Sequence, residues 1–344
     1  MTKRVTIKDV AKDAGVSITT ASFALNNVKG RVSDEIRKRV LDSADRLHYT
    51  ANNNARSLRT DDSRTIMFVF SKEYLIERTS SYMASLSGCV EYAERMGRGI
   101  LLELIDIDMS MEEQVERFLR IWKSRRVNGM IFQCYFEDDR DDQFYRKLYQ
   151  SGVNLVNISR IGNSSDYPCV FLEEFQITRD QVRFAVQKGY RTLYYLCRKH
   201  RQLGIRERGF LDEVEGEGVR GQLLHYTSIN CTEEELWEVV APIVTSAEER
   251  IAILCWSDMD AVLLMNVLQK HGIAVPDQVG VMGFDDIPMA EYVVPKLTTV
   301  TQPFAEMARH ALEILNRAEQ TGLSSDRLIE RINVSGEIIE RESM

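Results

Sequence analysis

Thr6, Ser17 and Ser33 are spaced to open three short helices near the start of the chain. Each stands just before a run of helical apolar periodicity, where a side-chain oxygen can accept an otherwise unpaired backbone N–H. Thr6 with Asp9 reads as a short-armed capping box, and Ser17 caps the next run in the same way. The same helix starts suit phosphate, because their N–H groups and the helix dipole favour an anion. Gly15 closes the first helix and leads into the second. A helix, a glycine turn and a second helix form the helix-turn-helix pattern, whose second helix enters the DNA major groove. Ile18, Thr19 and Thr20 occupy its first turn, where base-reading side chains belong, with Ser22 and Phe23 one turn later.

These side chains need a scaffold. Val10, Ala14, Val16, Ala21 and Leu25 supply a small core, and a third helix after Ser33 adds Ile36, Val40, Leu41, Ala44 and Leu47. The stretch from Tyr49 to Asp62 holds three consecutive asparagines and one large aliphatic side chain, so it reads as a linker that becomes helical only when held. From Arg64 the pattern changes to alternating strands and helices. Strands are expected at 65–70, 100–105, 129–132, 155–158, 193–196, 223–226, 251–255 and 279–283. Helices are expected near 80–96, 111–125, 141–151, 204–215, 232–245 and 258–271. Such alternation argues doubly wound parallel sheets with ligands outside the carboxyl ends of the strands. About ten strands exceed one compact sheet of this kind, so two lobes are expected.

The charge is unevenly placed. The chain of 344 residues carries a net −8, yet residues 1–60 hold twelve Lys/Arg and six Asp/Glu, a net +6. A basic terminus on an acidic body fits a DNA-touching module joined to a domain with another task. No apolar run reaches the ~18 residues of a membrane span, and a cytoplasmic location without membrane partner is expected. The six cysteines lack C-x-x-C spacing, and the five histidines show no metal-ligand spacing, so neither a metal nor a cofactor is implied. Gly216 to Gly221 matches G-x-G-x-x-G but follows a helix and precedes a strand, the reverse of the dinucleotide context. With no nucleophile elbow and no phosphate-binding loop either, an enzyme is not expected.

Taken in order, several motifs resemble the lac repressor (LacI/GalR) family of bacterial transcription regulators. The opening T-I-K-D-V-A-K-D-A-G-V-S, the third helix with Val32-Ser33 and Arg37, and the hinge-like Asn54-Ala55-Arg56-Ser57-Leu58-Arg59 carry the likeness. Val275-Pro276-Asp277, Gly283-Phe284-Asp285-Asp286 and Pro295-Lys296-Leu297-Thr298-Thr299-Val300 carry it at the other end. The resemblance implies an all-α helix-turn-helix headpiece at 1–50, a hinge at 51–62 and a two-lobed α/β periplasmic-binding-protein-like effector domain at 63–344. It puts lobe one at about 63–161 and 292–320, and lobe two at about 162–291 and 321–344. It further implies a homodimer on pseudo-palindromic double-stranded operator DNA, and a small-molecule effector, a sugar by analogy, in the interlobe cleft. Repression is the family habit; an activator, or a regulator without a small-molecule effector, stays open. A stand-alone sugar-binding protein competes on the body alone and would lack the headpiece.

For DNA, the resemblance adds Asn26, Arg31 and Tyr49 to the headpiece set, and Asn52, Asn53, Arg56 and Leu58 in the hinge. Leu58 would wedge into a central base step from the minor groove. Ala51 stands where the hinge usually opens with proline, which implies a looser free linker. For the effector it points to Arg206 in Arg206-Glu207-Arg208-Gly209-Phe210, to Asp285, Asp258 and Tyr82, and more weakly to Ser71, Arg160 and Gln202. An arginine suits such a cleft because its fork donates to two acceptors at once. Asp258 has a second reading, as the cap of the following helix. Two departures bear on effector chemistry: Glu173-Glu174 replaces the usual Asp-Asn, and Thr79-Ser80-Ser81-Tyr82 replaces an Asn-Pro-aromatic stretch. Many family members carry arginine at the position of Phe23, which rules out that bidentate guanine contact here. Binding-site selection is expected to return half-sites without an invariant guanine opposite Phe23.

Overall fold

The computed structural model describes residues 5–25, 30–49, 62–72, 81–106, 109–134, 140–159, 166–199, 203–228, 231–322 and 329–344. Asn26, Asn52, Asn53, Arg56, Leu58, Arg160 and Gln202 lie outside them. The chain divides into two units, Met1–Ser63 and Arg64–Met344.

In the first unit, α1 (Ile7–Asp13), α2 (Ile18–Leu25) and α3 (Asp34–Arg46) enclose Val10, Ala11, Ala14, Ala21, Ala24, Val40 and Ala44. Small side chains at these crossings let three short helices approach closely. The Ser43 hydroxyl, fully buried, donates to Asp13 at 2.5 Å, and Arg46 reaches the same carboxylate at 2.5 Å, tying α3 back to α1.

The second unit holds two parallel sheets. Strands β1 (Thr65–Ser71), β2 (Gly99–Ile105), β3 (Gly129–Gln133), β4 (Leu155–Ser159), β5 (Cys169–Leu172) and β11 (Arg331–Val334) form the first, in the order β11-β5-β4-β3-β1-β2. Its two faces are covered by α4 (Ser81–Arg95) with α11 (Phe304–Thr321), and by α5 (Met111–Lys123) with α6 (Arg140–Gln150). The second sheet runs β7-β6-β8-β9, from β6 (Thr192–Arg198), β7 (Arg220–Tyr226), β8 (Ile251–Cys255) and β9 (Val279–Met282). Helices α7 (Glu174–Gln187) and α8 (Ile205–Gly216) cover one face, α9 (Glu233–Val244) and α10 (Asp258–Lys270) the other. Parallel strands buried on both faces read as continuous apolar runs, which is why Ile-Ala-Ile-Leu-Cys at β8 shows no alternation. A short antiparallel pair, β10 (Thr299–Val300) with β12 (Ile338–Ile339), lies where the chain passes between the sheets.

The strand pairing corrects the expected lobe boundaries. β5 pairs with β4 at Asn157↔Cys169, and β11 pairs with β5 at Arg331↔Cys169, so both strands belong to the first sheet. The chain therefore leaves the first lobe after Leu172 and not near 161, and its return to that lobe includes Arg331–Val334. All six cysteines are without disulfides, and five of them are buried. Among the described residues no helix is long and apolar enough to cross a membrane.

Helices α7 and α8 pack with little backbone clearance. A Cβ on Gly209 would lie 2.6 Å from the carbonyl oxygen of Phe175, so the glycine of the R-E-R-G-F run permits the crossing. One turn on, the buried Glu213 carboxylate accepts from Arg179 at 2.5 Å and from Arg183 at 2.6 Å, locking the same pair of helices. Those two partners hold its pKa below the usual carboxylate value, against the desolvation that raises it. Gly209→Ala is expected to destabilise the body by about 1–3 kcal/mol, seen as a lower urea midpoint; an unchanged midpoint would show that the crossing relaxes freely.

Candidate functional site

The headpiece presents its second helix through two well-formed ends. Asp9 accepts from the Thr6 backbone N–H at 2.8 Å and from the Thr6 hydroxyl at 2.7 Å, which fixes the start of α1. At the other end Val16 N–H donates to Ala11 O at 2.9 Å and Gly15 N–H to Lys12 O at 3.3 Å, with Gly15 at φ +65°. This is a Schellman ending, and glycine supplies its left-handed residue. Ser17 Oγ then accepts the Thr20 N–H at 3.0 Å as the cap of α2, and it shares a 2.8 Å hydrogen bond with the Thr20 hydroxyl.

The exposed side of α2 begins with Ile18, 47% accessible, and Thr19 beside it. Thr20 and Phe23 are half-buried. Among the described residues, Phe23 is not part of the apolar cluster that holds the three helices together. Ser22 departs from expectation: at 6% exposure it faces the packed side of α2, with Ala21 and Ala24. Ser33 caps α3 through the Ile36 N–H at 3.4 Å, and Arg31 is exposed nearby. Tyr49 packs against the headpiece core.

In the second unit Arg206, Asp258 and Asp285 lie near one another beyond the carboxyl ends of the strands, with partners the sequence did not disclose. Arg206, on the first turn of α8, is 4% exposed. Its Nη2 and Nε both donate to Glu174 Oε1, at 2.6 and 3.2 Å, and its Nη1 donates to the Trp256 carbonyl at 2.7 Å. The guanidinium lies 3.6 Å from the Phe284 ring centroid and 5.0 Å from that of Trp256. Desolvation alone would lower the arginine's pKa; the fields of Glu174, Tyr195 and Asp285 and the Glu174 hydrogen bond carry it above the ordinary value.

Asp285 follows β9 with φ +125°, a backbone conformation that a non-glycine residue holds only under constraint. The constraint is its N–H bond to Val300 O at 2.8 Å, and Gln302 Nε2 donates to its carboxylate at 2.5 Å. Desolvation pushes the Asp285 carboxyl well up, against the pull of Arg206. Ser71, the last residue of β1, is fully buried with a hydroxyl that has no hydrogen-bond partner among the described residues. Tyr82 lies in α4. Trp256, Phe284 and Gln302 were not foreseen; only the Glu173-Glu174 departure signalled that the arginine's surroundings were unusual.

Asp258 is a structural tie. It is fully buried, with Thr299 Oγ1 donating to one carboxylate oxygen and the Ile287 N–H to the other at 2.8 Å. The cap of α10 is Ser257, which accepts from the Asp260 N–H at 3.1 Å, so the capping role expected of Asp258 falls to its neighbour. Burial pushes both Asp258 and Asp260 up to about 6 from the ordinary 3.8, although each accepts hydrogen bonds that pull the other way. The folded chain therefore binds these two protons more tightly than the unfolded chain does. Their stabilisation is complete below pH 3.8 and is lost as pH rises through 6. The unfolding free energy of the body is expected to fall as pH rises from about 4 to about 6.5 and to level off above that, by at most about 1.4 kcal/mol per group per pH unit, followed by urea melts across that range. Asp258→Asn should flatten that slope, and an unchanged slope would place the titration elsewhere.

Residues 6–52 match the bacterial regulatory proteins of the lacI family, and residues 182–344 match a periplasmic binding protein-like domain. The chain is 27% identical to the HTH-type transcriptional regulator RegA of Clostridium saccharobutylicum, with 98% of each chain covered. It is 28% identical to the HTH-type transcriptional regulator GalR of Escherichia coli, with 96% of each covered. In fold it is similar to the lac repressor dimer bound to operator and the anti-inducer ONPF, at a TM-score of 0.82, 19% identity and 99% coverage of both chains. It is also similar to the transcriptional regulator CelR in complex with cellobiose, at a TM-score of 0.66 and 21% identity, covering 99% of this chain and 100% of that one. A capped helix-turn-helix, two parallel sheets and relatives aligned along nearly the whole length agree: the chain carries a DNA-binding domain of the lacI family of bacterial regulatory proteins and is a DNA-binding transcriptional regulator.

Proposed function

We propose that the protein is a cytoplasmic repressor that binds a pseudo-palindromic operator as a homodimer and answers to a small molecule, most simply a sugar, held between its lobes. The division into headpiece at 1–50, hinge at 51–62 and effector domain at 63–344 belongs to the same reading. The observation that carries it is α2, whose first turn is fixed by Ser17 while Ile18 and Thr19 stay exposed. One such helix reads few base pairs, so affinity and specificity call for a two-fold pair of headpieces on two half-sites. Exposed Met83 and Val90 on α4, and exposed Tyr292 and Val294 beyond β9, give a second copy apolar surface to cover. The crystallised complexes of related proteins with operator and anti-inducer, and with cellobiose, support the DNA and sugar parts by analogy.

In this reading, lobe closure around a ligand biases the hinge, and the coupling is a free energy shared between the two sites. Leu58 acts as an apolar wedge that kinks the operator centre, at an unstacking cost offset by the contacts the bend permits.

The direct test is a gel shift on DNA upstream of the protein's own gene and its neighbours, with competitor DNA and a salt titration. Specific binding that survives competitor and prefers a symmetric site over a half-site is expected; binding lost to competitor at every site would sink the reading. Leu58→Ala is expected to weaken operator binding by roughly tenfold or more while leaving the melting temperature of the chain unchanged. Equal loss of binding and stability would remove the wedge role.

A further inference from the structure

The arginine in the cleft is already engaged. Three separate donor groups of Arg206 are used inside the protein, two toward Glu174 and one toward the Trp256 carbonyl, and both partners of the ion pair are about 5% exposed. We propose that Glu174 is a built-in counter-ion that makes this cleft select an uncharged polyhydroxy ligand and exclude sugar acids and phosphorylated sugars. The proposal rests on the reading of the cleft as a sugar effector site and narrows it to one charge class.

An anionic ligand at Arg206 would have to displace Glu174 and then sit beside it. The displaced carboxylate would be left without its cation in a buried place, and two like charges would share one pocket. Glu174 is also well placed to stay, as the first residue of α7, where a negative side chain is favoured by the helix N-terminus. Three other described cations near these strand ends lie beside acids. Lys72, one residue past Ser71, lies 3.6 Å from Asp106, and Arg341 lies 2.7 Å from Asp286. Arg198, at the end of β6, acts on Asp260. Uncharged contacts remain available: the buried Ser71 hydroxyl, without a partner among the described residues, can donate or accept, and the half-buried Trp256 ring offers a surface for the apolar face of a sugar. Asp285 adds no positive charge, and desolvation favours its neutral form.

The test uses the full chain in titration calorimetry with matched ligands: glucose, glucuronate and glucose 6-phosphate, galactose and galacturonate, cellobiose and cellobionate. The wild type is expected to bind a neutral member at least about tenfold more tightly than its acid or phosphate partner. Glu174→Gln, which keeps the shape and removes the charge, is expected to shrink that ratio about tenfold by improving the anion. Equal or tighter binding of the anion by the wild type, or an unchanged ratio in Glu174→Gln, overturns the proposal while leaving the sugar site standing. If no form binds any of these ligands but the operator is still bound, the sugar reading falls and takes this proposal with it. A ligand-free arm uses Glu174→Ala, in which formate should raise the melting temperature by occupying the vacated place beside Arg206, with no such response in the wild type. Failure of formate to restore stability overturns the counter-ion role.

Discussion

A buried carboxylate holds the second lobe to the strand that leaves it. Asp258 accepts from the Thr299 hydroxyl on β10 and from the Ile287 N–H in the loop after β9, and its own N–H reaches Phe284 O at 2.8 Å. The start of α10, the loop after β9, and β10 therefore meet at one residue. A carboxylate can do this because two oxygens offer several acceptor directions, and satisfied acceptors are what make its burial tolerable. With β10 fixed, Val300 O is in place to hold Asp285 in its left-handed conformation, and Gln302 arrives beside the same residue. The arrangement of Asp285 and Gln302 beyond the second sheet is thus a consequence of the buried Asp258 contact.

Beside this tie lies a second electrostatic unit, Arg206 with Glu174, stacked on Phe284. Ion pairs in the interior seldom add net stability, because desolvation offsets attraction. Their use is to fix which charges can coexist in one place. Here the pair also joins the first turn of α7 to the first turn of α8, whose crossing is set by Gly209 and locked by Glu213. Charge selection and helix packing are one arrangement.

Much of the fold was legible from local pattern. The eight expected strands and six expected helices of the body all form, within a few residues, because long apolar runs and capped amphipathic stretches declare themselves without distant help. The helices Glu174–Gln187 and Phe304–Thr321 went unnamed, as did the strands Cys169–Leu172 and Arg331–Val334. These strands are four residues each, too short to show a period, and they exist through pairing across more than 150 positions. At the candidate site, the sequence named Arg206 and Asp285 but not what they touch. Glu174 and Arg206 are 32 positions apart, and nothing in local spacing says that two charges on different helices will meet. The burial of Ser22 was not legible because helical periodicity gives faces, while only the packing of α2 on α3 says which face is inside.

Phe23 has a wider meaning for how such a regulator changes over generations. The headpiece is held by small residues on the inner faces of three helices and by the Ser43–Asp13–Arg46 latch, and Phe23 takes part in neither. Substitution there disturbs neither of those described contacts. A duplicated copy of the gene can therefore vary this half-buried position with less burden on the packing of the three helices than a change at Ala21 or Ala24 would carry.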